Sequence, residues 1–323
     1  MKAAVVTDKG VEVREVPKPA PGPEQVLVRV RAAGLNRADL QVAAGHSHGP
    51  IGGAGTIVGL EFAGEVEAVG SSVTLVKPGD RVMCTGNGGY AEYAVADWGR
   101  AVPVPANNMS WEQAATLPIA LQTMHNAIVT AGRFKPGDSV MIQGASSGVG
   151  LLGLQIAKLK GARVVIGTST NAMRRERLKE FGADVAIDTT ESNWSERVLA
   201  ATDNKGVDLI VDQVSASVAN ENMKAASVLG RIVNVGRLGG FKGEFNYDLH
   251  ALKRIDYIGV TFRTRSVEEV REIVRAMRAD LWPDVESGRL KLPIDKVFPL
   301  DKAAEALAHM KANQHFGKIV LAT

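Results

Sequence analysis

Short apolar runs separated by turn sequences fill residues 1–115. Within these runs apolar and polar residues alternate, or the apolar residues cluster, which is typical of β-strands with one face against a core. Proline, glycine and aspartate mark the breaks, as in Lys77-Pro78-Gly79-Asp80. The runs are MKAAVV from residue 1, VEVREV from 11, QVLVRVRAAGLN from 25, GEVEAVG from 64, DRVMC from 80 and YAEYAVA from 90. This pattern predicts a compact, barrel-like β domain.

The pattern changes at residue 111, where apolar residues take helical spacing up to residue 132. After this helix, strand-like and helix-like segments alternate. The predicted strands are 140–142, 163–166, 185–187, 209–211 and 231–235, and the predicted helices are 151–158, 174–180, 194–201 and 219–227. Alternation of this kind predicts a doubly wound parallel sheet with helices on both faces.

The last 60 residues add a helix at 267–277, a strand at 296–299, a helix at 302–310 and a strand at 318–322. We expect this tail to return to the first domain. A chain of 323 residues exceeds the usual size of one domain. We therefore predict two domains, one of residues 1–115 with 265–323 and one of residues 116–264.

Composition narrows the class of protein further. Lys and Arg number 38 against 35 Asp and Glu, a net charge of +3 without long runs of either sign, so we expect no nucleic-acid or membrane partner. Cys84 is the single cysteine, which excludes an internal disulfide and fits a reducing compartment. The first ten residues do not resemble a signal peptide. We predict a cytoplasmic protein.

A Gly/Ser loop, Gly144-Ala145-Ser146-Ser147-Gly148-Val149-Gly150, leaves a predicted strand and enters a predicted helix. The N–H groups at such a helix start, together with the helix dipole, suit a phosphate. Glycines 148, 150 and 153 also satisfy the dinucleotide pattern G-x-G-x-x-G. Residues 144–148 equally satisfy G-x-S-x-G, the nucleophile elbow of α/β-hydrolases. A plain glycine-rich turn is the third interpretation.

The end of the next strand indicates which dinucleotide is bound. NAD-binding folds place an acidic residue about 20 residues beyond the glycine loop, where it holds the ribose hydroxyls. Here the first acid is Glu176, and before it stand hydroxyl, amide and guanidinium groups. These groups are Thr168, Ser169, Thr170, Asn171, Arg174 and Arg175. They favour a 2′-phosphate, and therefore NADPH, although a solvated basic helix start would have the same composition.

Six stretches in this order resemble the medium-chain dehydrogenase/reductase superfamily, specifically its zinc-free quinone oxidoreductase branch, over nearly the whole chain. They are residues 34–40, 59–64, 77–82, 89–93, 147–150 and 315–320. The resemblance implies a GroES-like β domain plus a Rossmann domain, with substrate and nicotinamide in the cleft between them, and usually a homodimer. It also implies that NADPH reduces a quinone or a conjugated carbonyl.

The resemblance assigns roles residue by residue. Zinc-binding relatives carry a Cys where Asn36 stands and a His where Leu60 stands, so it implies no metal. It implies Asn36 and Arg263 as catalytic groups. It implies a cofactor site made of Thr123, Ser146, Ser147, Gly148, Val149, Gly150, Thr168, Ser169, Thr170, Asn171, Arg174, Val235, Gly236, Phe262 and Lys318. In the family register the phosphate cradle runs from Gly144 to Gly150, and Gly153 becomes a helix-packing residue.

The chain departs from the family in two places. Relatives have Arg-x-Gly-x-Tyr-Pro after the Asn-x-x-Asp motif, and here the corresponding run, residues 43–48, lacks both Arg and Tyr. A family tyrosine near the 2′-phosphate corresponds to Thr189. The substituted run includes His46, Ser47 and His48, at the start of the glycine-rich loop 45–59. Either histidine is a candidate proton donor or substrate contact, and water is the alternative donor.

Three functions remain open at this point. The first is a zinc-independent, NADPH-dependent reductase of quinones or enones. The second is an enoyl-thioester reductase. The third is a non-catalytic NADPH-binding protein with a structural or regulatory role, because the family tyrosine is missing.

Overall fold

The computed structural model describes residues 1–49, 51–106 and 108–323. Pro50, in the predicted glycine-rich loop, and Asn107 lie outside the described residues. The described chain divides into a first unit, residues 1–119 with 262–323, and a second unit, residues 120–261.

The chain up to residue 125 is mostly β-structure. Its elements are β1 (Lys2–Thr7), β2 (Gly10–Glu15), β3 (Gln25–Gly34), α1 (Arg37–Ala43), β4 (Glu61–Val69), β5 (Arg81–Thr85), β6 (Tyr93–Asp97), β7 (Ala101–Pro103), α2 (Trp111–Ala114) and α3 (Pro118–His125). Strands β1 and β2 form a separate antiparallel pair.

The second unit alternates strands and helices. Its elements after α3 are β8 (Ser139–Gln143), α4 (Gly148–Leu159), β9 (Val164–Thr168), α5 (Ala172–Glu176), β10 (Val185–Ile187), α6 (Trp194–Ala200), β11 (Val207–Asp212), α7 (Ala219–Ala225), β12 (Ala226–Asn234), α8 (Tyr247–Lys253) and β13 (Asp256–Gly259). All pairs in the sheet are parallel, in the order β10-β9-β8-β11-β12-β13. The strand order reverses between β8 and β11, which is where such sheets bind ligands. The predicted doubly wound sheet is confirmed.

The remaining residues are α9 (Val267–Glu286), β14 (Ile294–Pro299), α10 (Ala303–Lys311) and β15 (Lys318–Ala322). In the first unit the strand order is β14-β15-β3-β4-β5-β7, with β6 also paired to β3. Strand β15 runs antiparallel to β3, with Val320 opposite Gly34, and parallel to β14. The last strand of the chain is therefore an inner strand of the first unit's sheet.

Burial explains why the two sheets have different sequence patterns. All five residues of β8 are buried, because helices cover both faces of a parallel sheet, and its sequence is accordingly an apolar run. Strand β6 alternates partly exposed and buried residues, as expected for a sheet with one face on a core. The core of the first unit includes Phe62, Val82, Tyr90 and Leu321.

Several elements differ from the sequence-based expectation, and among them the helices α1 and α8 were not predicted. The helix predicted for residues 111–132 is broken, because α3 begins at Pro118, whose ring suits a helix start but not an interior. Beyond α3 the chain continues as one π-helical stretch, Asn126–Thr130. Helix α9 runs nine residues past the predicted end at 277. The short edge strand β13 was not predicted. Among the described residues, no helix combines the length and the apolar character that crossing a bilayer requires.

Candidate active site

The loop between β8 and α4 has the backbone geometry of an anion-binding turn. Gly144 has a φ of +71°, which glycine adopts without steric cost. Ser147 is the N-cap of α4, and its Oγ accepts a hydrogen bond from the Gly150 N–H at 3.0 Å. The N–H groups of Gly148 and Val149 lie in the first turn, where the helix provides no acceptor. These donors and the helix dipole fit a phosphate group.

Two glycines of α4 are required by close packing. A Cβ on Gly150 would lie 2.7 Å from the Ala145 Cα, so the loop could not fold back on the helix start. A Cβ on Gly153 would lie 2.9 Å from the Met124 sulfur and 3.3 Å from a methyl group of Ile142. The interpretation of Gly153 as a helix-packing residue is confirmed.

The hydrolase interpretation of Ser146 fails on backbone geometry. A nucleophile elbow holds its serine on a strained turn, whereas Ser146 is not among the non-glycine residues with positive φ. Its Oγ accepts a hydrogen bond from the Ser169 hydroxyl at 3.1 Å. This contact joins the loops that follow β8 and β9, and the geometry therefore favours a nucleotide-binding loop.

Thr168, a predicted cofactor contact, lies beneath the Gly/Ser loop of residues 144–150 and is 1% exposed. Its hydroxyl accepts from the Gly144 N–H at 3.0 Å and donates to Gln143 Oε1 at 2.6 Å. The Ala145 N–H donates to the Thr168 carbonyl at 2.9 Å. Thr168 thus supports the loop through buried hydrogen bonds.

The segment that joins β9 to α5 presents the other predicted cofactor groups. Thr170 is exposed, and Ser169 is buried beside it. Asn171 caps α5, with its Oδ1 accepting from the Arg174 N–H at 3.0 Å. This cap places the partly exposed Arg174 side chain in the first turn of α5, directly after the segment that joins β9 to α5.

Arg175 has a different role from its neighbour. Its Nη1 donates to the Ser169 carbonyl at 2.9 Å and to the Asp188 carboxylate at 2.8 Å. Hydrogen bonds from Thr190 and the charge of Arg175 hold the pKa of Asp188 below its usual value. Arg175 therefore braces the loop after β9.

Gln213, which the sequence-based reasoning missed, ties two loops together. Its Nε2 donates to the carbonyls of Gln143 at 3.1 Å and Gly144 at 3.3 Å. Its Oε1 accepts from the Ser147 hydroxyl at 3.1 Å. The available signal was position, because Gln143 ends β8 and Gln213 follows β11, and parallel strand ends meet at one edge of a sheet.

Val235 and Gly236, also predicted cofactor contacts, follow β12. Their N–H groups donate to the Asp212 carbonyl at 2.8 and 3.1 Å. A Cβ on Gly236 would lie 2.5 Å from the Gln213 carbonyl oxygen, so only glycine allows the two turns to approach this closely. The ends of β11 and β12 are thereby held together.

Thr123 occupies an unusual place in α3. Of the eight residues of this helix, all of them described, only Ile119 and Thr123 are not buried. The two are four residues apart and lie on one helix face. Thr123 is therefore the one polar residue of α3 that is partly exposed, which fits its predicted contact with a ligand.

In the first unit, Asn36 belongs to a buried polar network. Its Nδ2 donates to Glu61 Oε1 at 2.8 Å and approaches the Gly34 carbonyl at 3.4 Å. The Lys318 ammonium donates to Asn36 Oδ1 at 3.1 Å and to the Leu35 carbonyl at 2.8 Å, and also contacts Glu61 Oε1. Lys318 is 3% exposed and Glu61 is 0% exposed. The lysine therefore orients Asn36.

Asp39 and Tyr90 extend this network. Asp39 Oδ2 accepts from the Asn36 N–H and from the Tyr90 hydroxyl, both at 2.7 Å. Burial raises the pKa of Asp39 to about 7, against the opposing hydrogen bonds and the charge of Lys318. Burial, and then the charge of Asp39, raise the pKa of Tyr90 well above its ordinary value. Asp39, Glu61 and Tyr90 were missed as a group, although each lies in a stretch that carried the family resemblance.

The histidine run lies beside Arg263. His46 and Ser47 are exposed, and His48 is partly buried, with its N–H donating to the Ile51 carbonyl at 2.7 Å. Burial lowers the pKa of His48, and the nearby charge of Arg263 lowers it further. A Cβ on Gly49 would lie 3.4 Å from the Arg263 carbonyl oxygen, so this loop packs against the Arg263 backbone.

The remaining predicted positions concern metal and cofactor. Phe262, next to Arg263, is partly exposed. The positions that correspond to metal ligands hold Asn36, whose amide is in the network above, and the apolar Leu60. Within residues 1–49, 51–106 and 108–323, no three His, Cys, Asp or Glu side chains are grouped so as to hold a metal ion.

Known proteins resemble this chain over almost all of its length. Residues 22–106 match the alcohol dehydrogenase GroES-like domain, and residues 148–279 match the family described as zinc-binding dehydrogenase. The quinone oxidoreductase of Rattus norvegicus is 32% identical over 311 residues, which cover 95% of this chain and 92% of that protein.

Solved structures give the same result. An NAD-dependent alcohol dehydrogenase is 30% identical, with a TM-score of 0.85 and 100% of both chains covered. A mycobacterial protein solved in complex with NADPH is 26% identical, with a TM-score of 0.89 and 100% of both chains covered. The chain therefore belongs to the medium-chain dehydrogenase/reductase superfamily of pyridine-nucleotide oxidoreductases, in the branch of the quinone oxidoreductases.

Proposed function

We propose that the protein is an NADPH-dependent reductase that transfers hydride to a quinone or an α,β-unsaturated carbonyl without zinc. The observation that carries the cofactor assignment is the absence of any carboxylate from residues 167–175, where Arg174 stands. A carboxylate there would hold the ribose hydroxyls and repel a 2′-phosphate. We assign cofactor binding to residues 116–264 and acceptor binding to residues 1–115 with 265–323.

The second unit offers a set of groups that fits each part of this cofactor. The amides at the start of α4 suit the pyrophosphate. Thr170, Asn171 and Arg174 suit the 2′-phosphate, for which a guanidinium is the preferred partner. We assign the nicotinamide end to Thr123, to the turn of Val235 and Gly236, and to Phe262.

When bound, the nicotinamide supplies the hydride. The chain must then hold the acceptor oxygen, on which negative charge develops, with fixed donors. We assign this role to the Arg263 guanidinium and to Asn36 Nδ2. One Asn36 N–H is directed to Glu61 at 2.8 Å, and the other makes only a 3.4 Å contact with the Gly34 carbonyl, so this second N–H is the one we assign to an acceptor oxygen. His48, with its lowered pKa, is neutral at pH 7 and donates a hydrogen bond, and water delivers the proton.

Zinc independence rests on the chemistry of two positions. An amide that is already hydrogen-bonded and a leucine side chain do not ligate zinc, which takes Cys, His or carboxylate ligands. We therefore expect the reduction rate to be unchanged after dialysis against a strong chelator. A rate that is lost on chelation and restored by Zn²⁺ would overturn this part of the proposal.

We also propose a homodimer. Six large apolar side chains between residues 228 and 252 of the second unit are more than half exposed, and a dimer contact over this segment would remove them from water. They are Val228, Leu229, Leu238, Phe241, Tyr247 and Leu252. Light scattering on the purified chain should give twice the monomer mass of 34.3 kDa, whereas a monomer at micromolar concentration would contradict the proposal.

The test of the function is NADPH oxidation, followed at 340 nm, with a panel of quinones, enones and enoyl thioesters. We expect turnover with quinones or enones, faster with NADPH than with NADH, and at least a tenfold lower kcat in Arg263→Ala. Arg265→Ala, two residues away and paired with Glu269 at 3.6 Å, is the matched control.

Three results would overturn the assignment. Turnover confined to enoyl thioesters would indicate the related thioester reductase. Tight NADPH binding without turnover of any acceptor would indicate a non-catalytic binding protein. A rate that is equal in Arg263→Ala and the wild type would exclude Arg263 from the step.

A further inference from the structure

Ser215, directly after β11, has a backbone conformation that a serine rarely adopts. Its φ is +69° and its ψ is −119°. These are the angles of the first central residue of a type II′ turn, a position that glycine dominates because it has no Cβ. Ser215 is also 5% exposed, so solvent contact does not explain the choice of a polar residue here.

Every polar group of Ser215 has a partner. Its hydroxyl donates to the Gly236 carbonyl at 2.5 Å and accepts from Asn234 Nδ2 at 2.9 Å. Its N–H donates to Asp212 Oδ1 at 2.9 Å, and its carbonyl accepts from the Val218 N–H at 2.9 Å. The hydroxyl is the part that glycine could not supply, and both of its hydrogen bonds go to the end of β12.

The carboxylate behind Ser215 is itself fixed. Asp212 is 0% exposed, and it accepts from the Val214 N–H at 2.8 Å and from Asn222 Nδ2 at 3.0 Å. Gln213, between Asp212 and Val214, is hydrogen-bonded to Ser147 in the Gly/Ser loop and to the Gln143 carbonyl before it. Hydrogen bonds therefore hold Asp212 and Gln213, which come shortly before the strained turn, and the hydroxyl of Ser215 has a defined position relative to the sheet.

The place of this turn in the sheet indicates what it serves. A doubly wound sheet consists of two halves, and each half takes one mononucleotide of the cofactor. Under the proposed function, the adenosine half consists of strands β8, β9 and β10 together with the Gly/Ser loop and Arg174. Strands β11, β12 and β13 form the other half, and the turn after β12 is the part of it that Ser215 holds.

We propose that Ser215 is a positioning residue that fixes residues 234–236 for the nicotinamide mononucleotide half of the cofactor. The inference rests on the proposed function, because it assumes that this edge binds the dinucleotide. A glycine would give the same turn without strain, and what the serine adds is its pair of hydroxyl hydrogen bonds, to Asn234 and Gly236.

The test compares Ser215→Gly with Ser215→Ala in the full chain. Glycine removes strain and hydroxyl together, whereas alanine removes only the hydroxyl. We expect the Tm without ligand to be at least that of the wild type in the glycine variant and lower in the alanine variant. In both variants the Kd for NADPH should rise on the order of tenfold, as for the loss of two hydrogen bonds. The Kd for 2′,5′-ADP, which carries only the adenosine half, should stay within twofold of the wild type.

Arg254→Gly is the matched control. Arg254 also has a positive φ, +51°, but it follows α8 and precedes β13, away from the carboxyl edge of the sheet. This variant should gain stability and leave both Kd values unchanged. Asn234→Ala should reproduce the selective loss of NADPH affinity, and combining it with Ser215→Gly should add little, because both changes break the same contact.

If Ser215→Gly and the wild type bind NADPH with equal affinity, the inference about Ser215 is overturned and the proposed cofactor is not. An equal loss of NADPH and 2′,5′-ADP affinity would also overturn it, since the effect would then not be confined to one half. A wild-type protein that binds neither ligand would overturn the proposed cofactor and this inference with it.

Discussion

At the scale of single residues, the first unit holds two buried carboxyl groups close to one buried ammonium group. Asp39 and Glu61 are both 0% exposed, and Lys318 is the ammonium that lies with them. Glu61 takes that ammonium directly, and Asp39 is left with neutral donors from Asn36 and Tyr90. Asp39 Oδ1 has no hydrogen-bond partner. Burial without a direct cation favours the protonated acid, which is why the pKa rises to about 7.

This pKa predicts a dependence of stability on pH. An unfolded aspartate titrates near pH 4, so between pH 4 and 7 the folded state binds more protons than the unfolded state. The stabilising contribution of Asp39 to the free energy of unfolding is therefore fully present below pH 4 and is lost as pH rises to about 7. Asn resembles the protonated acid at all pH values. We expect Asp39→Asn to gain stability relative to the wild type between pH 4.5 and 7.5, by at most about 4 kcal/mol.

Urea unfolding at a series of pH values measures this difference. Asp8→Asn, at an exposed position, is the control and should show no such trend. Parallel stability curves for Asp39→Asn and the wild type would show that Asp39 is ionised throughout, against the prediction.

Arg174 is the residue on which the choice of cofactor is expected to depend. Removing a charge-assisted hydrogen bond costs about 1.5–3 kcal/mol. Arg174→Ala should therefore raise the Kd for NADPH about 10- to 100-fold and leave the Kd for NADH nearly unchanged. The control is Arg177→Ala, which removes a neighbouring exposed arginine paired with Glu180 at 3.3 Å. Equal effects on the two dinucleotides in a fluorescence titration would place the 2′-phosphate elsewhere.

At the scale of elements, the start of α4 leaves no room for a side chain at Gly150. The Gly150 position is crowded by backbone, because an added Cβ would lie 2.8 Å from the carbonyl oxygens of both Gly144 and Ala145. Backbone cannot rotate away as a side-chain end can. The loop would have to open to accept even a methyl group.

Gly150→Ala should therefore lower both the Tm and the affinity for NADPH. Gly259→Ala is the matched control, since Gly259 lies at the end of β13, has no positive φ and has no atom within 4 Å of an added Cβ. Calorimetry and ligand titration on the two variants make the comparison. Normal dinucleotide binding by Gly150→Ala would show that the loop does not hold the pyrophosphate.

At the scale of the whole molecule, the two units differ in how the chain builds them. The sheet of the second unit is complete between residues 139 and 259. The sheet of the first unit needs β15, whose residues Ile319, Val320 and Leu321 are 0–1% exposed, beside β3. The second unit is continuous in sequence, whereas the sheet of the first unit is complete only when β15 pairs with β3.

This difference predicts the behaviour of fragments. Residues 120–261 should fold alone into a cooperative unit, whereas residues 1–119 should not, because β3 loses its β15 partner and the core lacks the apolar residues of β15. Co-production of residues 1–119 with 262–323 is the control that should restore folding. Dispersed amide NMR spectra distinguish the cases, and a well-dispersed spectrum from residues 1–119 alone would contradict the prediction.

Much of the fold could be predicted because the signals are local. The central strands β8, β9 and β11 of the second unit are almost wholly buried and therefore appear as apolar runs, and the Gly/Ser loop of residues 144–150 is a contiguous pattern. Element ends were less accessible, as the break at Pro118 and the unpredicted β13 show. An edge strand of four residues, none of them buried, carries little apolar signal.

The amino-acid sequence by itself determined the order of most strands and helices, the Gly/Ser loop between β8 and α4 and the absence of an acid from residues 167–175, because each depends on neighbouring residues. Only the tertiary structure decided the contacts of Asn36 with Lys318, which lie 282 residues apart. It also decided the strained backbone of Ser215 and the raised pKa of Asp39. These properties depend on burial and on partners from distant segments, and no local pattern specifies which distant groups share a site.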